Sequence, residues 1–529
     1  MLQPNHTGRS SMIKFDNPDV IITDVMARHG KWRTNKTAVV CGEKRLNWGE
    51  FNHRINRVAN GLVSMGLKKG DKVSMLMTNS IEMLEIMFGT VRAGGVIVPL
   101  SAMVTGESLV RMINDSDSIF LFADKKLLNT IESYREQLTG IAADYRFSVG
   151  VDADGWGGFE RFMSDSPDDD YVVELTYEDP FNIMYTSGTT GLPKGILHTH
   201  HNRFHFAAMF AIDFRIDSGA VNIVTTSLYA NGTWLTFLPT MFVGGTLIIM
   251  PQYDTAEFLR LVRREKGTHT FMVPTQFKML LEHPDFDRYD LNSMKIWLSA
   301  GSPFLKQDKE EVLNRLPGEL VELWGLTEGV ATTLKPEDME AKTASIGIPP
   351  VGWDVGIIDD EGNRLSPGEI GEIIGSSSFL MPEYYKLPDK TREAMWRDER
   401  GRTYLKTGDM GKLDEDGFLY ILDRKKDMII SGGINIFASD IEEILAGHPD
   451  VKDCVVIGVP HEKWGETPLA LVIPYEGAAA VEDDVRDWLN TRVAKYQRVA
   501  GVVFRIDFPR NALGKVLKKE MRAEYATIK

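Results

Sequence analysis

Cysteine is almost missing: Cys41 and Cys454 are the only two in 529 residues. That count leaves no disulfide framework and no structural zinc site built on thiolates. Each lies beside a valine, so both are expected as buried thiols in a reducing compartment. No stretch of 18 apolar residues occurs, so no spanning helix and no integral membrane association are expected. Met1 to His6 shows no basic segment followed by an apolar run, which predicts no secretory signal and a cytoplasmic location. A basic excess is also lacking. Lys and Arg number 60 against 75 Asp and Glu, for a net charge of −15. That balance argues against a general nucleic-acid or anionic-membrane binder, which needs cations to release counterions.

What is present reads as a large soluble globular protein. Hydrophobic residues make up 43% and charged residues 26%, ordinary for a globular chain. The length exceeds a single core, so about two to four domains or subdomains are expected. The most informative stretch is Tyr185-Thr186-Ser187-Gly188-Thr189-Thr190-Gly191-Leu192-Pro193-Lys194-Gly195. Five hydroxyl side chains, three glycines and a lysine in eleven residues suit neither a core strand nor a helix. They suit a phosphate: glycines admit close approach, turned amides form an anion nest, and Lys194 adds charge. The G-x-x-x-x-G-K-[ST] phosphate loop does not match, because Pro193 stands at its second glycine and Gly195 follows the lysine. A flexible Ser/Thr/Gly linker is the plainer alternative, disfavoured by the strand-like Phe181 to Met184 just before it.

The first third alternates helix and strand patterns. Strands are predicted at Thr37 to Cys41, Lys72 to Thr78, Val96 to Val98 and Ile119 to Phe122. Helices are predicted over Glu50 to Met65, ended by Gly66, and after a Ser80 cap. This alternation implies parallel sheets covered on both faces. Asp152 to Asp170 is expected as an exposed connection. His201 and His205 would share a helix face, and with His198 and His200 form a cluster read as packing, since no H-E-x-x-H pattern accompanies it. Strands at 222–226, 246–249, 269–273, 295–298 and 319–323, with an Asp254/Glu257 capping box between, predict a second α/β layer set. Short strands and Asp-Gly turns from Val355 to Ile374 predict a small β-rich subdomain. The charged run Asp423 to Asp427 marks a boundary before a compact α+β unit of about 100 residues.

Other motifs are modest singly. Trp324-Gly325-Leu326-Thr327-Glu328 ends a strand with an aromatic and a carboxylate. Thr407-Gly408-Asp409, Ser431-Gly432-Gly433 and Gly514-Lys515 could each be plain turns. In this order, together with Tyr185 to Gly195, Tyr404 to Asp409, Asp423 to Ile441 and Asn511 to Lys518, the chain resembles the acyl-adenylate-forming (AMP-binding) superfamily, in its acyl- and aryl-CoA synthetase branch. The resemblance implies an α/β fold: a large N-terminal domain (1–423) with two doubly wound subdomains and a β-barrel-like subdomain, then a small mobile α+β domain (424–529) hinged near Lys426. It implies ATP, Mg²⁺ and coenzyme A. A carboxylate attacks the α-phosphate of ATP, giving acyl-AMP and pyrophosphate, and a thiol then takes the acyl group.

Carried over by motif, Thr186, Ser187, Gly188, Thr189, Thr190 and Lys194 wrap the β- and γ-phosphates, and Glu328 with Thr186 serves Mg²⁺. Thr327 contacts the α-phosphate. Asp409 and Arg424 hold the ribose, and Trp324 opposite Gly301 and Ser302 sandwiches adenine. Lys515 reaches the carboxylate and α-phosphate, and Gly432 and Gly433 leave room for pantetheine. Tyr229, Asn231, Trp234, Gly301 and Gly325 would line the acyl pocket. Tyr229 stands where the family often has a histidine, and Gln252 where a CoA-contacting lysine is found. Gly325 replaces the tryptophan of acetate-specific relatives, which implies a medium- or long-chain fatty acid or an aromatic acid. The partners expected are the acid, ATP and CoA, with a homodimer left open. Two rival readings are a stand-alone adenylating enzyme that loads a carrier protein and a non-catalytic nucleotide-binding regulator. Intact Lys515, Glu328 and Asp409 argue against the second.

Overall fold

The computed structural model describes residues 19–104, 106–186, 193–510 and 515–526. Four sheets organise the described chain. The largest has eight strands, in the order Ala331–Leu334, Glu319–Gly325, Ile296–Ala300, His269–Met272, Val221–Val224, Thr246–Ile249, Thr37–Cys41 and Lys44–Asn47. Its inner pairs are parallel and both edge pairs antiparallel. A seven-stranded sheet runs Gly157–Gly158, Arg146–Val149, Ser118–Asp124, Lys72–Leu76, Val96–Pro99, Pro180–Thr186 and Lys194–Thr199. Only its last pair is antiparallel. Nearly continuous apolar strands such as Val96–Pro99, buried throughout, are what a sheet covered on both faces requires.

Helices between these two sheets form one shared core. Trp48–Ser64 begins with a reciprocal cap: Asn47 Oδ1 accepts from the Glu50 amide at 2.8 Å, and Glu50 Oε2 accepts from the Asn47 amide at 2.9 Å. Ser80 Oγ caps Ile81–Arg92 through the Met83 amide at 3.1 Å. The two helices cross at Gly89, where a Cβ would lie 2.4 Å from Val58 Cβ. Only glycine permits that approach. Phe51, Phe88, Trp234 and Phe237 fill the space beneath them.

The third sheet is antiparallel: Trp353–Ile358, Gly371–Ser377, Thr403–Leu413 and Met395–Arg397, with Leu419–Arg424 also on Thr403–Leu413. The fourth holds Ile434–Ile436, Ile429–Ser431, Gly465–Pro474 and Val451–His461, with Val502–Phe504 parallel to Gly465–Pro474. It has cores of its own on both faces. The chain crosses from the third sheet to the fourth between Arg424 and Ile429.

Several local expectations need correction. Residues 152–170 are more than an exposed connection. They include the strand Gly157–Gly158 and the helix Phe159–Asp165, because Phe159, Phe162 and Met163 fall three and four apart and are buried. At Thr255–Glu265 only half of the capping box forms: Asp254 Oδ1 accepts from the Glu257 amide, while the Glu257 carboxylate turns to Arg260. The β-rich region extends past Ile374 to Arg424. Cys41 and Cys454 are half-buried rather than fully buried, and burial raises both thiols above their ordinary value.

Candidate active site

The site forms where strand ends and hairpins of the first three sheets converge. Thr186 ends one strand, Lys194 begins the next, and the two are paired across an antiparallel hairpin. Ser187, Gly188, Thr189 and Thr190 lie outside the described residues. Lys194 Nζ stands 4.6 Å over the Tyr384 ring. Tyr384 OH donates to Glu328 Oε1 at 2.9 Å. One tyrosine thus connects the cation of the phosphate hairpin to the carboxylate expected at Mg²⁺. Burial, then the Glu328 carboxylate, pushes the Tyr384 phenol well up, so it stays a donor.

Asp409 and Arg424 face each other across paired strands, with Arg424 Nε 2.6 Å from Asp409 Oδ1. Trp324 Nε1 donates to Asp409 Oδ2 at 3.2 Å. Burial raises the Asp409 carboxyl, against the pull of Arg424 and Lys515. Lys515 comes from the last part of the chain, yet its charge is felt at Asp409 and Arg424. Burial draws its ammonium down to about 8, and Arg424 adds to the effect while Asp409 opposes it. Lys515 sits where the last unit meets Asp409 and Arg424, and the residue keeps solvent contact, which limits the desolvation.

Gly301 follows Ile296–Ala300 at a φ of 96°, and Trp324 ends the neighbouring parallel strand. Both therefore sit at carboxyl ends of the eight-stranded sheet, where open α/β sheets bind ligands. Ser302 is half-buried beside Gly301. Gly325 is exposed, but a Cβ there would lie 2.8 Å from the Val330 carbonyl oxygen. The strand pairing alone accounts for this glycine, so it does not by itself measure pocket depth.

Thr327 is held from behind. His198 Nε2 lies 2.8 Å from the Thr327 carbonyl oxygen. Arg203 Nη2 and Asn182 Nδ2 approach His198 Nδ1 at 3.1 and 3.2 Å. Arg203 can only donate, so Nδ1 accepts and Nε2 carries the proton. Burial, then Arg203, keeps His198 neutral. The histidine cluster is thus mixed in role. His201 and His205 do share a face, with rings 4.3 Å apart, whereas His200 packs edge-on against Phe181.

Tyr229 and Asn231 are half-buried between Val221–Val224 and the helix Trp234–Val243. Trp234 is fully buried, its Nε1 donating to the Leu228 carbonyl at 2.8 Å. Its ring backs the Arg203 guanidinium at 4.4 Å rather than forming open surface. Gly432 and Gly433 turn the hairpin between Ile429–Ser431 and Ile434–Ile436 at φ of 58° and 83°. A Cβ on Gly433 would meet nothing within 4 Å. Lys426 is held through its carbonyl, which accepts from Arg522, and Arg522 also pairs with Asp427. Tyr384, His198 and Arg203 have no motif signal in the sequence. Apart from the His198–Arg203 contact, five residues apart, the hydrogen-bond partners of their side chains lie 16 or more residues away along the chain.

Comparison with known proteins agrees with this geometry. The family described as AMP-binding enzyme matches residues 26–385, and the AMP-binding enzyme C-terminal domain matches residues 440–515. The chain is 32% identical over 486 residues to long-chain-fatty-acid–CoA ligase FadD13 of Mycobacterium tuberculosis, covering 91% of this chain and 93% of that one. It is 32% identical over 501 residues to a feruloyl-CoA synthase of Streptomyces sp, covering 94% and 98%. ATP-bound MatB of Rhodopseudomonas palustris superposes with a TM-score of 0.86 at 29% identity over 96% of this chain and 99% of that one, and apo MatB at 0.76. Two family models covering both parts of the chain, and full-length relatives that join acids to CoA, make this chain a member of the acyl-adenylate-forming AMP-binding enzymes, in the acyl-CoA synthetase branch, and an AMP-forming acid–thiol ligase.

Proposed function

We propose that the chain activates a medium- or long-chain fatty acid or an aromatic acid to acyl-AMP, then transfers the acyl group to coenzyme A. The observation that carries the first step is the meeting of Lys515 with the Asp409–Arg424 pair. A carboxylate oxygen attacks the α-phosphorus and pyrophosphate leaves. Negative charge gathers on the phosphate oxygens that Lys515, Thr327 and the hairpin cation Lys194 would contact, and fixed positive groups there stabilise the transition state. Asp409 and Arg424 hold the ribose, and Trp324 with Gly301 and Ser302 encloses adenine. The closer likeness to ATP-bound than to apo MatB supports a small domain docked for adenylation.

Mg²⁺ fits this donor set. Among the described residues no group of three His, Cys, Asp or Glu could cage a metal. A single carboxylate, Glu328, with Thr186 and substrate phosphates is the usual arrangement for Mg²⁺. The ion would offset charge on the phosphate oxygens.

For the second step the domain 424–529 turns about Lys426, and the CoA thiol attacks the acyl carbonyl, releasing AMP. Two features support the turn. The sheets change between Arg424 and Ile429, and the Gly432–Gly433 hairpin carries exposed Ile430, Ile434 and Trp464 beside it. Swung inward, that face would cover its apolar side chains and present side-chain-free backbone to pantetheine. AMP release measured with Mg-ATP and CoA across acetate, fatty acids, benzoates and cinnamates tests the reading. AMP that needs both acid and CoA is expected. Acid-dependent pyrophosphate exchange with no AMP turnover on adding CoA would instead indicate a carrier-protein acceptor, and acetate as best substrate would overturn the acid class.

A further inference from the structure

Arg203 is the only fully buried cation in the acyl region among the described residues, and its charge is offset by no neighbouring carboxylate. Its donors are instead spent on neutral acceptors. Nε donates to Asn182 Oδ1 at 2.7 Å, Nη2 to His198 Nδ1 at 3.1 Å, and Nη1 to Asn231 Oδ1 at 3.0 Å. The guanidinium is packed over Trp234 at 4.4 Å, with Phe379 and Phe206 at 5.4 and 5.3 Å. It cannot turn away without opening that core.

This fixes the orientation of one side chain that the family resemblance places in the acyl pocket. A guanidinium has no acceptor, so Asn231 must give it the oxygen. The Asn231 amide nitrogen is then the group left over to donate. It has no partner among the described residues, and the side chain is half-exposed. Building on the acyl pocket assigned above, we propose that Arg203 is a positioning residue that locks Asn231 as a hydrogen-bond donor, so that the preferred acid carries an acceptor oxygen on its acyl part. A purely hydrocarbon acyl group would leave the N–H buried and unpaired, and the site should discriminate against it by roughly tenfold or more. The uncompensated charge behind Asn231 favours a carbonyl, an ether or a second carboxylate alike.

Matched acids test this: para-acetyl against para-isopropyl cinnamate, a keto fatty acid against its methyl-branched counterpart, and para-carboxycinnamate as the anionic arm. The readout is kcat/KM for acid-dependent pyrophosphate exchange, which omits CoA. We expect the oxygenated member to win in at least one pair by roughly tenfold. Asn231→Leu should bring that ratio near one. Arg203→Met should do the same by freeing the amide to flip, and Arg203→Lys, which restores a donor, should recover part of the ratio. A wild-type ratio near one in every pair, or an unchanged ratio in Asn231→Leu, overturns the proposal. If Arg203→Met fails to fold, the Asn231 series decides alone. Exchange that never becomes CoA-dependent transfer refutes the CoA-ligase reading separately, with the ratio still measured. If the para-carboxy acid alone wins, the acceptor is anionic; if the ketones win equally, it is neutral.

Discussion

The pH dependence of adenylation should report Lys515 directly. Its ammonium is held near 8, against an ordinary 10.5, by burial and by the neighbouring Arg424. Below that value the group is charged and able to meet the carboxylate and α-phosphate. One unit above it only about a tenth of the molecules keep the charge. In acid-dependent pyrophosphate exchange, kcat/KM describes the free enzyme, so it should fall about tenfold per pH unit beyond 8. The limb of kcat should lie higher, because bound anions favour the charged lysine. The stability sign is the reverse of the activity sign. A lysine lowered in the folded state binds fewer protons there than in the unfolded chain between about 8 and 10.5, so its contribution to stability rises with pH across that window. Exchange is the assay of choice because it excludes the CoA thiol, which titrates in the same range. Lys515→Arg should remove the limb, since guanidinium stays charged. A midpoint at 10 or above, or the same limb in Lys515→Arg, would refute the reasoning.

Three further outcomes are expected. Tyr384→Phe removes a bond to a charged carboxylate, worth about 1.5–3 kcal/mol, and should slow exchange roughly 10- to 100-fold with little change in melting temperature; unchanged exchange would show that Glu328 needs no such anchor. Gly433→Leu meets no neighbour but strains a turn residue at a φ of 83°, so the melting temperature should fall slightly while exchange survives and CoA-dependent thioester formation drops; equal loss of both would count against the hairpin's role in the second step. Gly325→Trp should lower the melting temperature, because any Cβ presses on the Val330 carbonyl; a variant as stable as the parent would favour pocket depth over packing as the reason for this glycine.

Much of this protein was determined by its sequence alone, wherever the cause was local. Strand–helix alternation, the Asn47 and Ser80 caps and the glycine turns depend on neighbours a few residues away, and the predicted spans agree with the structure to within a few residues. The Tyr185 to Gly195 stretch stood out by its composition, whereas Trp324 to Glu328 and Asp409 gained meaning only from their order along the chain and the family resemblance that order carries. Phe159, Phe162 and Met163 were legible in principle, three short-range apolar positions hidden among aspartates and glycines. What only the tertiary structure decided rests on contacts between distant segments. Tyr384 meets Glu328 and Lys194 from a distant segment, and Lys515 lies near Asp409 through the packing of the last unit. His198, an unremarkable member of a histidine run, becomes the support of Thr327. Arg203 reads in sequence as one more polar residue on a helix. Its burial among Trp234, Phe206 and Phe379, and the orientation it imposes on Asn231, follow from packing that no local pattern encodes.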